Sequence, residues 1–257
     1  MEFLYQIDAW KIALSLLICL FLMIEISYRF GKRNDPAVYE QSSSVFSTLM
    51  GAALALLGLL LAFSFAMASA RYDLRKNIIL KEANAIGTTY LRADLLDPNV
   101  RDQVKNKLKD YTKIRLASYQ TSINQKQISQ VSQHTNQLQQ EIWSIASSEL
   151  RRERQMNNSL FVQALNDMID VSAEQNDARE NHVPESVFWL LFISALLTAA
   201  LSGYACGAIG HRNIMATSIF ALLVALVIFS IIDLDRPQRG LIQVNKHPMQ
   251  SVLESMQ

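Results

Sequence analysis

The longest uncharged run of the chain extends from Val45 to Ala70, and it constrains the fold more than any other feature. Its 26 residues contain no Asp, Glu, Lys or Arg. A helix crosses a bilayer with about 20 apolar residues, because each residue adds about 1.5 Å. The run therefore predicts a transmembrane helix, and with it an integral membrane protein.

Three further runs have the same apolar character. They extend from Ala9 to Phe30, from Ser186 to Gly210 and from Asn213 to Ile232. Only His211 and Arg212 separate the last two runs, which therefore predict a tight hairpin. The sequence thus predicts four spans in a lipid bilayer.

Most of the charge lies between the second and third spans, since 31 of the 47 charged residues fall between Arg71 and Glu185. The 85 residues between Pro98 and Pro184 contain neither glycine nor proline, and apolar residues recur there at helical spacing. We therefore predict an all-α protein with four helices in this section. The predicted domains are a first transmembrane hairpin (1–70), a helical extramembrane domain (71–185), a second transmembrane hairpin (186–235) and a C-terminal tail (236–257).

An even number of spans puts both termini and the helical domain on one membrane face. Lys and Arg residues flank the spans on both faces, so their distribution decides the orientation only weakly. We predict a cytoplasmic helical domain because no translocation signal precedes it and because its basic cluster directly follows the longest uncharged span.

The sequence contains no motif of the common catalytic or nucleotide-binding sites, such as G-x-S-x-G, H-E-x-x-H or G-x-G-x-x-G. Its four histidines are scattered, and its two cysteines lie inside apolar runs, so we predict no metal and no cofactor. The net charge of +1 leaves no basic surface for nucleic acid. These patterns favour a protein that is not an enzyme.

The second span carries two parallel lines of side chains. The line of small residues comprises Gly51, Ala55, Gly58, Ala62, Ala66 and Ser69. The neighbouring bulky line comprises Leu59, Phe63 and Met67. One interpretation is ordinary packing or lipid contact. The other is that copies of this helix surround an axis, so that the bulky residues line a pore neck that gates by dewetting.

Charged residues follow the second and the fourth span at the same membrane face. Arg71 and Arg75 follow the second span, and Asp233, Asp235 and Arg236 follow the fourth. One interpretation is a collar in which the arginines meet lipid headgroups. The other is that the aspartates pair with the arginines and fix the two spans together, while an unpaired arginine at a pore mouth concentrates anions.

Two polar features remain. Glu25 lies inside the first span, one turn before Arg29, and predicts a local ion pair that reaches toward the interface. Gly87 is the only glycine of the helical domain and predicts a bend or a close backbone contact. Three polar residues near it are expected to connect helices or subunits: Glu82, Asn84 and Arg92.

Several blocks of the sequence are familiar in this order: LLLAFSFAMASARYDLRK, EANAIGTTYLRADLL, HVPESVFWLL and LDLDRPQRGLI. They resemble the bacterial bestrophin-like family, a four-span membrane domain whose name implies kinship with bestrophins. Bestrophins are pentameric anion channels with an apolar neck lined by the second helix. The resemblance implies a homo-oligomer, a pentamer, in the bacterial inner membrane that conducts inorganic anions such as chloride passively. The resemblance also implies that Leu59 and Phe63 occupy the neck and that Arg71 follows them.

The sequence also departs from bestrophins. It lacks the paired tryptophans after the neck arginine, the proline of the neck and the clustered acidic run of the calcium clasp, so calcium gating is not expected. The rival hypothesis is a membrane scaffold or sensor that does not conduct ions and whose helical domain binds a partner protein.

Overall fold

The computed structural model describes residues 7–33, 36–119, 125–152, 156–236 and 240–256. Within them the chain forms eight α-helices and one short 3-10 turn, Ala93–Leu95. The helices are α1 (Ala9–Gly31), α2 (Pro36–Arg92), α3 (Pro98–Ser118), α4 (Gln125–Arg152), α5 (Met156–Glu180), α6 (Glu185–Ile209), α7 (Ile214–Leu234) and α8 (His247–Ser255). The predicted all-α fold is confirmed.

Four of the described helices, α1, α2, α6 and α7, contain segments long and apolar enough to cross a membrane. The four predicted spans are confirmed, and the protein is a multi-pass membrane protein. The second span is only part of α2, which has 57 residues and continues without interruption into the helical domain. It continues because RYDLRKNIILKEAN, which follows Ala70, contains no glycine or proline to end a helix.

The chain divides into two compact units, and the boundary on α2 follows Ala70. Of the described residues, the membrane unit takes in 7–33, 36–70, 182–236 and 240–242. The helical unit takes in 71–119, 125–152, 156–181 and 243–256. The end of the predicted tail therefore belongs to the helical unit.

In the membrane unit, α1 and α6 pack with their backbones in contact. A Cβ atom added to Gly207 would overlap the carbonyl oxygen of Tyr28, and one added to Gly203 would overlap that of Ile24. These two glycines form a G-x-x-x-G pattern, which lets membrane helices approach closely. Gly31 of α1 meets the α6 backbone in the same way.

In the helical unit, the distal half of α2 packs with α3, α4, α5 and α8 around one apolar core. Its fully buried members include Ile86, Leu108, Phe161, Leu165 and Met249. Leu108, Phe161 and Leu165 belong to the apolar residues that recur at helical spacing between Pro98 and Pro184. The core gives this unit its own source of stability outside the membrane.

Gly87 lies within α2, which remains helical on both sides of it. A Cβ atom added there would lie 3.9 Å from Cγ2 of Val252 in α8, an ordinary van der Waals distance. Among the described residues there is thus no close backbone contact at Gly87, and that prediction is wrong, while the alternative of a bend stays a prediction. A helix interior tolerates the cost of one glycine when the surrounding packing stabilises it.

Candidate functional site

The membrane-spanning part of α2 has one covered side and one open side. Leu57, Ser64 and Ala68 are buried on the covered side. Leu59 and Phe63 lie on the other side, 52% and 63% exposed, because 100° per residue turns them away from the buried line. Bulky apolar side chains thus line a helix face that the other described residues leave uncovered.

Most of the small residues lie on the same uncovered side. We call this surface the open face of α2; its residues are Gly51, Ala55, Gly58, Leu59, Ala62, Phe63 and Ala66, all exposed. A Cβ atom added to Gly51 or Gly58 would meet no atom of the described part of the chain within 4 Å. Met67 and Ser69, which the sequence placed on the two lines, are half-buried instead.

Arg71 and Arg75 of α2 both donate hydrogen bonds to residues at the C-terminal end of α5. Arg71 Nη1 donates to Asn181 Oδ1 at 2.7 Å. Arg75 Nε donates to the carbonyl oxygen of Ala178 and Arg75 Nη2 to that of Asn181, both at 3.0 Å. The last carbonyls of a helix lack partners within the helix and carry a partial negative charge, so both cations stabilise this end.

The two arginines differ in access. Arg75 is buried, and its described contacts tie α2 to α5, which favours a structural role. Arg71 is only half-buried, so it is the more accessible of the two cations. Burial separates two residues that the sequence pattern treated alike.

Three buried residues, Asp233, Asp235 and Arg236, connect the end of α7 to other segments of the membrane unit. The Asp233 carboxylate accepts hydrogen bonds from the amides of Leu241 at 3.0 Å and Ile242 at 2.9 Å.

Asp235 and Arg236 reach the beginnings of two other helices. Asp235 Oδ2 accepts from the amide of Val183 at 3.1 Å, just before α6. Arg236 donates to the carbonyl oxygen of Ile7, just before α1. Two predictions for these residues stay predictions: the structural collar, and the pairing of the aspartates with the arginines of α2.

At the other end of the spans, Glu25 of α1 lies between two arginines. Arg29 Nε donates to Glu25 Oε1 at 2.9 Å, which confirms the predicted local pair. Arg212, from the connection between α6 and α7, donates to Glu25 Oε2. Its guanidinium also lies 5.0 Å from the centre of the Tyr28 ring. The carboxylate is therefore compensated from α1 and from the connection between α6 and α7, rather than from its own helix alone.

The helical unit contains a buried charged network that the sequence revealed only in part. Glu82 of α2 and Arg115 of α3 form an ion pair whose side chains are 0% and 3% exposed. Tyr119 donates to the second oxygen of Glu82, and Arg115 Nη2 donates to Gln175 Oε1 of α5 at 2.8 Å. The expected helix contact of Glu82 is confirmed, as is that of Arg92, which donates to the carbonyl oxygen of Leu160 at 2.8 Å.

Burial and the neighbouring charges change the acidity of this network. Burial raises the pKa of the Tyr119 hydroxyl well above its ordinary value, and the Glu82 carboxylate raises it further. Burial lowers the pKa of Arg115, but Glu82, Tyr111 and Tyr119 together more than offset this effect, so the pKa lies above its ordinary value. The network therefore keeps a neutral tyrosine beside the Arg115 guanidinium.

Two features of the structure had signals in the sequence that went unused. Arg115 follows Leu108 and Tyr111 at core-facing positions of α3, and a cation on such a stripe indicates a buried ion pair. Gly203 and Gly207 form a readable G-x-x-x-G inside an apolar run. Among the described side chains, no three His, Cys, Asp or Glu residues are grouped so that they could hold a metal ion.

A family model described as the bestrophin-like domain matches residues 13–249 of the chain. The chain belongs to the bestrophin-like family. The match takes in most of the first span, the other three spans and nearly all of the helical unit, so the predicted resemblance is confirmed. No match was found among functionally curated proteins.

Solved structures of a bacterial bestrophin homologue from Klebsiella pneumoniae resemble the bestrophin-like chain over almost its whole length. One, solved by Zn-SAD phasing, is 14% identical with a TM-score of 0.63, over 95% of this chain and 94% of that chain. A point variant of the homologue is 15% identical with a TM-score of 0.65, over 95% and 96%. At these identities the likeness establishes the fold, four spans and a helical extramembrane part included.

Proposed function

We propose that this bestrophin-like protein is a subunit of an oligomeric channel, a pentamer, that conducts inorganic anions passively. In the proposal, the second span of each copy faces the axis, and Leu59, Phe63 and Met67 form an apolar neck. Arg71 attracts the anion at the mouth of the neck. The channel lies in the bacterial inner membrane with its helical unit in the cytoplasm.

The open face of α2 carries the proposal. Leu59 and Phe63 are more than half exposed although they belong to a helix whose opposite side is buried. Around an axis, the Phe63 side chains of all copies would form one ring and the Leu59 side chains another. Such rings would exclude water from a narrow conduit, which is how hydrophobic constrictions gate ion flow.

Two further observations support an oligomer built on α2. Gly51 and Gly58 leave open space on that face, and small residues allow the backbones of neighbouring membrane helices to approach. The fold is also that of bacterial bestrophin homologues.

The experiment that tests the proposal measures chloride and potassium flux in proteoliposomes. Wild-type protein should release chloride down its gradient with little potassium flux. Phe63→Ala should change the chloride flux by about tenfold or more, because truncating the ring changes both the width and the dewetting of the neck.

The matched control is Phe65→Ala. Phe65 is two residues away and 44% exposed, but about 160° distant around the helix. Its truncation should leave the flux unchanged. Equal effects of the two variants, or unchanged chloride flux in a well-assembled Phe63→Ala protein, would contradict the neck.

The second candidate function is a scaffold or sensor that does not conduct. The exposed leucines of α2 in the helical unit, Leu74, Leu80 and Leu91, favour a surface that binds protein. If this function is correct, assembled wild-type protein will conduct neither chloride nor potassium. Cysteines introduced at these three positions will then react with a water-soluble thiol reagent in the assembled protein, because no neighbouring copy covers them.

A further inference from the structure

Cations gather where α1 ends beside the connection between α6 and α7. They are Arg29, Lys32, Arg33 and Arg212, all exposed, and Glu25 is the carboxylate that meets them among the described residues. Counted over these five side chains, the surplus is three positive charges. A helix C-terminus attracts one or two cations, but that effect does not account for Arg212, which comes from another segment.

An apolar stripe leads along α1 to these cations. Leu22, Ile26 and Phe30 are each at least half exposed, and their spacing of four residues puts them on one side of the helix. Arg29 and Arg33 continue the same side. Leu16 and Leu20, which are buried residues of α1, lie about 80° and about 120° around the helix from Ile26.

The end of this stripe is held in a fixed geometry. Glu25 accepts one N–H from Arg29 and one from Arg212, and a guanidinium has five N–H donors. Further donors thus remain on both groups while the carboxylate restricts where the groups lie. Beneath them, the close packing of Gly207 on Tyr28 locks α1 to α6.

We propose that this surface is a binding site for an anionic phospholipid, with its phosphate at Arg29 and Arg33 and an acyl chain along Leu22, Ile26 and Phe30. The phosphate accepts hydrogen bonds from the guanidinium groups, and Arg212 adds charge from the side. This site is separate from the open face of α2, and it does not depend on conduction.

The apolar stripe distinguishes a lipid from a free anion. A soluble phosphate would use the cations alone and would leave the three apolar side chains without a role. A phospholipid can contact the arginines and the apolar stripe together, because its phosphate and its acyl chains are covalently joined. The phosphate would lie at the arginines, and an acyl chain would extend from there along the stripe. Guanidinium groups suit this ligand since they bind phosphate oxygens in pairs.

Native mass spectrometry of the delipidated oligomer in detergent tests the site. The probes are phosphatidylglycerol and phosphatidylcholine with identical acyl chains. Wild-type protein should bind phosphatidylglycerol at least about tenfold more tightly. Arg29→Gln with Arg33→Gln should weaken this binding at least about tenfold, because charged hydrogen bonds to the phosphate are lost.

The charge-matched control is Lys11→Gln with Lys76→Gln, which removes one exposed cation at the beginning of α1 and one of the helical unit and should leave phosphatidylglycerol binding unchanged. Arg33→Gln alone, whose described contact is with the Phe30 ring, replaces the double variant if the latter fails to assemble. Equal binding of both lipids, or equal loss in the control, would overturn the proposal. Displacement of the lipid by millimolar inorganic phosphate would instead assign a free-anion site and would also overturn it.

Discussion

At the scale of single residues, the helical unit is organised around a carboxylate with no contact to solvent. Both oxygens of Glu82 accept hydrogen bonds, from Arg115 and Tyr119. A buried ion pair contributes little net stability compared with apolar packing, but the loss of one partner leaves the other charged and unpaired. The pair therefore makes the packing of α2 on α3 specific.

Glu82→Gln tests this network. The substitution keeps the shape but leaves Arg115 buried without its counter-charge, so we expect the free energy of unfolding to fall by about 3–5 kcal/mol. Thermal unfolding in detergent measures the effect. Glu141→Gln, which removes a half-buried ion pair with Lys107, is the control and should shift the midpoint far less, because both partners of that pair keep contact with solvent. Equal shifts would contradict the assigned importance of burial.

The raised pKa of Tyr119 has a consequence at alkaline pH. The unfolded state loses this proton from about pH 10 upward, whereas the folded state retains it until the higher folded pKa. Stability is thus fully present below about pH 10 and falls above it, by about 1.4 kcal/mol per pH unit for this group. Unfolding midpoints across this range should fall less steeply in Tyr119→Phe than in wild type, and identical slopes would contradict the shift. Tyr111, whose pKa burial also raises, leaves a residual slope.

At the scale of helices, the two glycine-containing faces of the membrane unit have different roles. The α6 face with Gly203 and Gly207 is in backbone contact with α1, whereas Gly51 and Gly58 of α2 have open space. The first face stabilises the subunit itself. The second is available to a neighbouring copy.

Gly207→Ala and Gly58→Ala separate these roles. Gly207→Ala should destabilise each subunit and lower the yield of folded protein, because its Cβ meets the backbone of Tyr28. Gly58→Ala should leave the subunit folded but weaken the oligomer, which size-exclusion chromatography with light scattering measures. An oligomer unaffected by Gly58→Ala and by the bulkier Gly58→Leu would contradict assembly through α2.

Sequence reasoning was accurate for these elements where one property decides the outcome. A long uncharged run decides a span, and each of the four was found. The boundary after Ala70 was placed by charge, so the sequence did not reveal that α2 continues to Arg92. The partners of Asp233 are backbone amides, which leave no pattern in the sequence. The network around Arg115 required knowing which helices pack together.

At the scale of the whole molecule, the protein consists of two units with different sources of stability. The membrane unit contains the spans and, on α2, an open face of apolar residues. The helical unit has its own buried core and receives α8. A channel needs a symmetric arrangement of copies, since a single second span cannot surround a conduit.

A cryo-electron microscopy map of the oligomer in lipid nanodiscs is the most direct measurement of that arrangement. We expect five copies around an axial opening, with Leu59 and Phe63 of every copy directed into it. A particle without an axial opening, or one in which these two side chains contact lipid at the outer surface, would contradict the account.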